Sequence, residues 1–355
     1  MLLPQSGMAH SYLDGLSGIE IGGSAHNPFG LKTWNVDFSA GTDTIFKQNE
    51  VKLAGESLHV DVVAPGDVLP FADGSLDFVL SSHVMEHFFD PIKALKEWRR
   101  VVRPGGFIFG IVPHKERTFD LERPRTPLQE LIDRHSGAIS PPEVDLHRHY
   151  SVWITEDLLE LCQYLEFRVV DFLDKDDKVG NGFTVVMQKE ADWLASRGVL
   201  NFRYALADAL QHYQAGNIGA AELTYRQIVR LDPFHGDALH MLGVIACGKG
   251  EYAAGLELLG RAVAAQPDSA AYHFNFGKAN QVLRRFEVAS AEYRRALELS
   301  PNLIDAHCYL GAVEAQLGNT SAAALSYERA LMLLKPEFAG TVTELRRQVI
   351  EAALA

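Results

Sequence analysis

Pro233, Pro267 and Pro301 stand 34 residues apart, and Pro336 follows one residue late. Leu242-Gly243, Phe276-Gly277 and Leu310-Gly311 keep the same step. So do Ala262, Ala296 and Ala330, and the bulky set Leu259, Tyr293 and Tyr327. A fixed period of this length, with apolar residues at helical spacing, restricts the chain to helix–turn–helix units that bury their apolar faces on one another. The glycines let paired helices approach closely. Each proline stops a second helix before the next unit begins. The first unit is degenerate, with Asp208-Ala209 where Leu-Gly is expected.

This half resembles the tetratricopeptide family over about residues 201–336. The resemblance implies four repeats over 201–337, then a capping helix over 338–355. The expected role is an assembly scaffold, or a docking groove for a protein or glycan partner. Nothing in this half looks catalytic.

The first half alternates instead. "GIEIG", "TWNVDF", "LHVDVV", "LDFVLSS", "GGFIFGIVP", "FRVVDFL" and "FTVVMQ" read as strands. "PIKALKEWRRVV" and "TEDLLELCQYL" read as helices. Near-continuous apolar strands separated by helices predict an α/β fold, a doubly wound parallel sheet covered on both faces. The last two strands have no helix between them and predict an antiparallel pair.

The segment from Leu69 to Pro113 carries, in order, Leu69-Pro70-Phe71, Asp73-Gly74, Asp77, Glu86-His87 and Arg103-Pro104-Gly105-Gly106. This order resembles class I S-adenosylmethionine-dependent methyltransferases with a Rossmann-like sheet, over about residues 15–190. The link between the first two strands, cut to "SAHNPFGL", is similar to that of methyltransferases encoded in bacterial sugar-polymer clusters. The expected organisation is a methyltransferase domain over 1–190, a linker over 191–200 and the repeats beyond. A fragment ending at residue 195 should then fold alone.

The resemblance implies the cofactor residues. Glu20 matches the acid that orients the methionine amino end of S-adenosylmethionine. Gly22 and Gly23 let the backbone approach the cofactor without a Cβ, although the usual third glycine is absent. Asp37 matches the acid that accepts both ribose hydroxyls. Asp67 is preferred over Asp61 for the adenine amino group. Ser82 and His83 follow the fourth strand, at the edge where doubly wound sheets bind ligands.

His83, Glu86 and His87 stand at i, i+3 and i+4 in "SSHVMEHF", one face of a helix if a helix begins there. Two kinds of hydroxyl methyltransferase, small-RNA terminal 2′-hydroxyl enzymes and certain ubiquinone-pathway enzymes, carry a Glu-x-x-Glu-His metal motif at this place. This chain has His83 where their first Glu stands. "HRH", His147 to His149, offers a further ligand. Such a donor set would suit Mn²⁺, Fe²⁺, Co²⁺ or Zn²⁺ better than Mg²⁺. The alternatives are a metal-free general base, from His87, His114 or His147, and a Glu-His pair that only packs.

Residues 114–150 form a 37-residue insertion with six basic residues, seven acids and four histidines. A loop this long inside a compact domain is expected to be a lid, or a surface excursion held by internal ion pairs. The resemblance favours O-methylation of a sugar hydroxyl in a glycan or nucleotide-linked precursor. The competing expectations are a protein client held by the repeats, and a non-catalytic scaffold. Formal net charge of −13 disfavours nucleic acid as a partner. Cys162, Cys247 and Cys308 are odd in number and far apart, which excludes a CxxC zinc pattern and suggests a reducing cytoplasm. No apolar run reaches about 18 residues, so no membrane span is expected.

Overall fold

The apolar runs of the first half become seven strands of one sheet. They are β1 (Gly18–Ile21), β2 (Thr33–Asp37), β3 (Val62–Val63), β4 (Leu76–Ser82), β5 (Val102–Pro113), β6 (Arg168–Leu173) and β7 (Gly182–Gln188). The structure, a computed structural model, describes residues 3–41, 44–143, 148–190 and 202–334. The expected linker 191–200 and capping helix 338–355 lie outside the described residues. The sheet order is β3-β2-β1-β4-β5-β7-β6. The first five strands are parallel. β7 runs antiparallel between β5 and β6. The order reverses between β1 and β4, and a ligand crevice opens at such a reversal, beyond the carboxyl ends of the strands.

Helices α1 (Gly7–Leu13), α2 (Ile45–Ala54), α3 (Pro91–Val101), α4 (Leu128–Ser136) and α5 (Thr155–Tyr164) accompany the sheet. Met8, Ala9 and Leu13 of α1 join Phe78, Leu80, Phe109 and Ile111 in one buried cluster. On α3, Ile92, Leu95 and Trp98 recur at helical spacing and are all fully buried. The Trp98 indole donates to the Gly66 carbonyl at 2.7 Å. β3 is shorter than "LHVDVV" predicts. Beside it a side chain replaces ladder bonds: the Asn35 amide nitrogen donates to the Asp61 carboxylate and the Asn35 side chain to the His59 carbonyl.

The chain divides into two compact units, Met1–Leu210 and Gln211–Ala355. The division falls inside α6 (Arg203–Gln214), not at the expected 200/201. Asp171 explains this. It is fully buried on β6, and a buried carboxylate needs donors. It accepts from the Tyr12 hydroxyl and from the backbone amides of Tyr204 and Ala205, at the start of α6. The Phe202 ring, also fully buried, packs edge to face with Phe172, centroids 6.1 Å apart.

The second unit contains α7 (Ile218–Leu231), α8 (Gly236–Gly248), α9 (Tyr252–Ala265), α10 (Ala270–Val282), α11 (Phe286–Leu299), α12 (Ile304–Gln316) and α13 (Thr320–Leu333). Pro233, Pro267 and Pro301 each fall two residues past the end of a helix, α7, α9 and α11. The periodic glycines are contact points. A Cβ on Gly243 would stand 2.6 Å from Leu259, one on Gly277 2.7 Å from Tyr293, and one on Gly311 2.9 Å from Tyr327. The bulky member of each pair fills the space that the glycine leaves, so α8 seats on α9, α10 on α11 and α12 on α13. No described helix is long and apolar enough to cross a membrane.

Candidate active site

A cavity of about 700 Å³ opens at the carboxyl edge of β1, β2 and β4. Its first wall grows from the β1 turn. Gly22 has a φ of +67°, and a Cβ there would stand 2.8 Å from Val84. The Gly23 amide donates to Asn35 Oδ1 at 3.0 Å, and a Cβ on Gly23 would meet the Glu20 carboxyl carbon at 3.0 Å. Both glycines therefore keep open a cradle that side chains would fill.

Glu20 lines the cavity and is 7% exposed. Burial pushes its carboxyl up to about 7, against the opposing pull of Lys178 and Lys47. The folded chain thus holds this proton from about pH 4.5 to about 7, where the unfolded chain has lost it. Stability from this residue is full below about pH 4.5 and is lost as pH rises through about 7. Glu20→Gln is expected to be about 3 kcal/mol more stable than the native chain above about pH 8, with the difference closing toward pH 4.5. Urea melts across that range check this. A difference independent of pH would assign the effect to packing.

Asp37 ends β2 at the same cavity, and burial raises its carboxyl above the ordinary range while Lys47 pulls it down. Lys47 Nζ stands 3.8 Å from Asp37 and 2.9 Å from Glu50. Burial pushes Glu50 upward, but the Ala25 and Leu58 amides and Lys47 outweigh it and hold the carboxyl below its usual value. Lys47 and Glu50 come from α2, which was not read from the sequence. The signal available was Thr44 as an N-cap, whose hydroxyl accepts from the Lys47 amide.

Neither adenine candidate reaches the cavity wall. Asp67 is turned toward α3 by Lys93, 2.8 Å away, and Asp61 accepts from the Asn35 amide. Ala64, Pro65 and Gly66 line the wall there instead.

Beyond β4 the expected helical face does not form. His83 takes a left-handed φ of 55°, and only a short 3-10 turn, Met85–His87, follows. A non-glycine residue in that region carries backbone strain. His83 and Ser82 both line the cavity. The His83 Nε2 donates to Asn181 Oδ1 at 3.0 Å, and the Ser82 hydroxyl donates to Nδ1 at 3.3 Å. Burial lowers the His83 pKa, so the ring is neutral at pH 7. His83 therefore stands with Asn181, away from Glu86 and His87.

Glu86 and His87 meet His149 from the insertion. Glu86 Oε1 is 3.8 Å from His87 Nε2 and 3.9 Å from His149 Nε2. The two rings stand edge to face, 4.9 Å apart. His149 Nδ1 donates to Asp120 at 2.6 Å, and Arg123 pairs with the same carboxylate. His87 Nδ1 donates to the Arg148 carbonyl at 3.2 Å. The Glu86 carbonyl accepts from the Tyr150 amide, which fastens the insertion to the turn. Burial raises the Glu86 carboxyl to about 8. His87 and Tyr150 line the cavity.

The remaining base candidates separate. His114 is buried, 3.8 Å from Asp174, with its Nδ1 accepting from the Glu116 amide, and is not part of the cavity wall. His147 lies outside the described residues. The insertion holds internal ion pairs, Arg123 with Asp120 and Arg134 with Glu130, and its Pro141, Pro142 and Tyr150 stand in the cavity wall.

A doubly wound sheet with a glycine turn, three carboxylates (Glu20, Asp37 and Glu50) in the wall and a cavity at its reversal point defines an α/β domain of the nucleotide-cofactor class. Residues 20–110 match the family described as a methyltransferase domain. Residues 204–270 match a tetratricopeptide repeat family, and 285–318 a TPR repeat family. The chain carries a methyltransferase domain followed by tetratricopeptide repeats. An uncharacterized methyltransferase of Mycobacterium sp. (strain KMS) is 58% identical over 45 residues, 13% of this chain and 18% of that protein. A thiol S-methyltransferase of Homo sapiens is 42% identical over 69 residues, 18% of this chain and 28% of that protein. The matched segments thus span under a third of the length of these relatives. A crystal structure of MamA is 23% identical, covering 41% of this chain and 92% of that chain, with a TM-score of 0.35.

Proposed function

We propose that this protein transfers the methyl group of S-adenosylmethionine to a sugar hydroxyl, in a glycan or a nucleotide-linked precursor. Its repeats dock a protein partner or assemble the chain, and it works in the cytoplasm. The sugar reading rests on one observation. Pro141, Pro142 and Tyr150 of the insertion belong to the same cavity wall as Glu20 and Asp37. An acceptor is thus received in a bounded space of about 700 Å³, within the range that encloses compact ligands.

The residues present fit the cofactor. Gly22 and Gly23 leave a cradle without Cβ atoms, and Glu20, Asp37 and Glu50 stand in its wall. Asp37 takes the ribose hydroxyls, Glu20 the amino end, and the backbone of Ala64 to Gly66 flanks the base. When bound, the cofactor supplies an electrophilic methyl group on a sulfonium. An acceptor oxygen would take that methyl group, with the electron pair of the carbon–sulfur bond left on sulfur. A sugar hydroxyl is a poor nucleophile until its proton is withdrawn. The imidazole and carboxylate groups gathered at His87 are where this chain withdraws it.

A protein client is the second reading, favoured by the repeats themselves. Mass spectrometry of nucleotide sugars, surface glycans and proteins, from cells with and without the gene, separates the two. A one-methyl difference on a sugar is expected. A difference confined to a polypeptide would replace the sugar by a protein acceptor.

A further inference from the structure

A buried ammonium holds three segments together at one rim of the cavity. Lys178, in the loop between β6 and β7, is 4% exposed. Its Nζ donates to the Pro4 carbonyl at 2.9 Å and to the Pro28 carbonyl at 2.6 Å, and stands 4.2 Å from the centre of the Phe29 ring. Pro4 lies just before α1, and Pro28 and Phe29 lie in the link between β1 and β2. The neighbouring Asp177 fastens the same leading segment, accepting from the Ser6 hydroxyl at 2.6 Å and the Met8 amide at 2.8 Å. The Leu3 amide donates to the His26 carbonyl at 3.0 Å, so the leading segment also lies along the link. The loop that carries Lys178 is itself fixed. The buried Asp176 carboxylate accepts from the amides of Lys178, Val179, Gly180 and Gly182, and the Asn181 side chain accepts from His83. All three segments form cavity wall: Leu3 from the first, Ser24, His26 and Asn27 from the second, Val179 and Asn181 from the third.

We propose that Lys178 is a positioning residue for the amino-acid end of the cofactor: it clasps the segment Leu3–Ser6 and the β1–β2 link across the cavity rim, and it is the counter-charge that readies Glu20. The role rests on the reading of Glu20 given above. A buried charge is costly unless something in the protein answers it. Both hydrogen bonds of Lys178 go to neutral carbonyls. The carboxylates that feel its charge are Glu20, Asp177 and Asp176. Asp177 and Asp176 are engaged by donors of their own, whereas Glu20 takes no hydrogen bond among the described residues and faces the cavity.

Glu20 can hold a cationic amine only as an anion, and burial works against that form. Two ammonium groups favour it, Lys178 and Lys47. Lys47 is taken by Glu50, 2.9 Å away, and also faces Asp37. Lys178 is therefore the cation whose charge is left for Glu20. The other titratable groups nearby are set. Burial pushes Asp176 up, but its amide donors outweigh it and hold the carboxyl below its usual value. Burial lowers His26, which is mostly neutral above pH 6.5. Clasp and counter-charge thus meet in one side chain: the ammonium that closes the rim also decides how readily the acid beneath it ionises.

The test measures S-adenosylmethionine affinity of the full chain by calorimetry as pH rises from about 5.5 to about 8, below the loss of the cofactor's own amine proton. The native affinity should rise with pH, half of the rise falling at about 7, where Glu20 ionises. Lys178→Met should move that half-rise up by about one pH unit, so that affinity at pH 7 falls about fivefold. Lys178→Arg should keep the native half-rise. Lys178→Gln, which keeps N–H donors without the charge, should shift like Lys178→Met and covers the case in which methionine there fails to fold. In a Glu20→Gln background the rise at about pH 7 should vanish, and Lys178→Met should then move nothing. Hydrogen exchange reads the clasp: amides of residues 3–8 and 24–30 should exchange about tenfold faster in Lys178→Met, the loss of one bond from a charged donor. A native half-rise in both Lys178→Met and Lys178→Gln, with Glu20→Gln still abolishing it, would overturn the counter-charge. Unchanged exchange in Lys178→Met would overturn the clasp. A native profile in Glu20→Gln would instead withdraw Glu20 from the cofactor, and the counter-charge with it.

Discussion

Asp37→Ala should lower S-adenosylmethionine affinity about thirty- to a thousandfold while leaving the far-UV spectrum intact. Two charge-assisted hydrogen bonds to adjacent ribose hydroxyls are together worth roughly 2–4 kcal/mol. The fold depends little on this carboxylate. Among the described residues it takes amide bonds from Ser39, at 3.4 Å, and from Phe38, and faces Lys47 at 3.8 Å, and Lys47 keeps the closer Glu50. Burial already disfavours the Asp37 charge, so removing it costs the folded state little. Calorimetry is the direct check. Unchanged binding would move the ribose, and with it the whole cofactor orientation, to another part of the cavity.

Ending the chain at residue 201 should destabilise the sheet unit severely, and ending it at residue 214 should not. The shorter fragment lacks Phe202, whose burial against Phe172 contributes about 2–3 kcal/mol. It also lacks the Tyr204 and Ala205 amides, which donate to the fully buried Asp171. Amide bonds to a charged acceptor are worth about 1.5–3 kcal/mol each, and a carboxylate left short of donors in the core adds its desolvation cost. The loss is on the order of 5 kcal/mol, against a total stability of about 5–15 kcal/mol for a domain. The fragment ending at 201 should melt at least about 10 °C lower than the longer one. Melting points within a degree or two of each other would show that α6 does not cap the sheet. The expectation that a fragment ending at 195 folds alone left these contacts out of account, because nothing in "FRVVDFL" says which residues must satisfy its aspartate.

The sequence by itself determined the strands, α3, α5, the repeat helices and their class, but not α2. Strand runs buried on both faces, a helical apolar stripe on α3 and a 34-residue period are local patterns, and each follows from 2.0, 3.6 or whole-repeat periodicity along the chain. The pairing of Gly243, Gly277 and Gly311 with Leu259, Tyr293 and Tyr327 was legible for the same reason, since members of each pair are always 16 residues apart. The glycine turn after β1 was legible because its residues are neighbours in the chain. What lay around it was not. Lys47 and Glu50 enter from α2, Asn181 from the loop before β7, and Asp67 leaves for Lys93. The cluster at Glu86 makes the limit plain. Spacing grouped His83 with Glu86 and His87 on a helix, but His83 at φ +55° breaks that helix and turns to Asn181. Its place is taken by His149, more than sixty residues further on and aimed by Asp120. Periodicity reports only what repeats along one element. Which side chains converge from separate segments is fixed by how those segments pack and by which buried charges must find partners, and that is decided only in the folded structure.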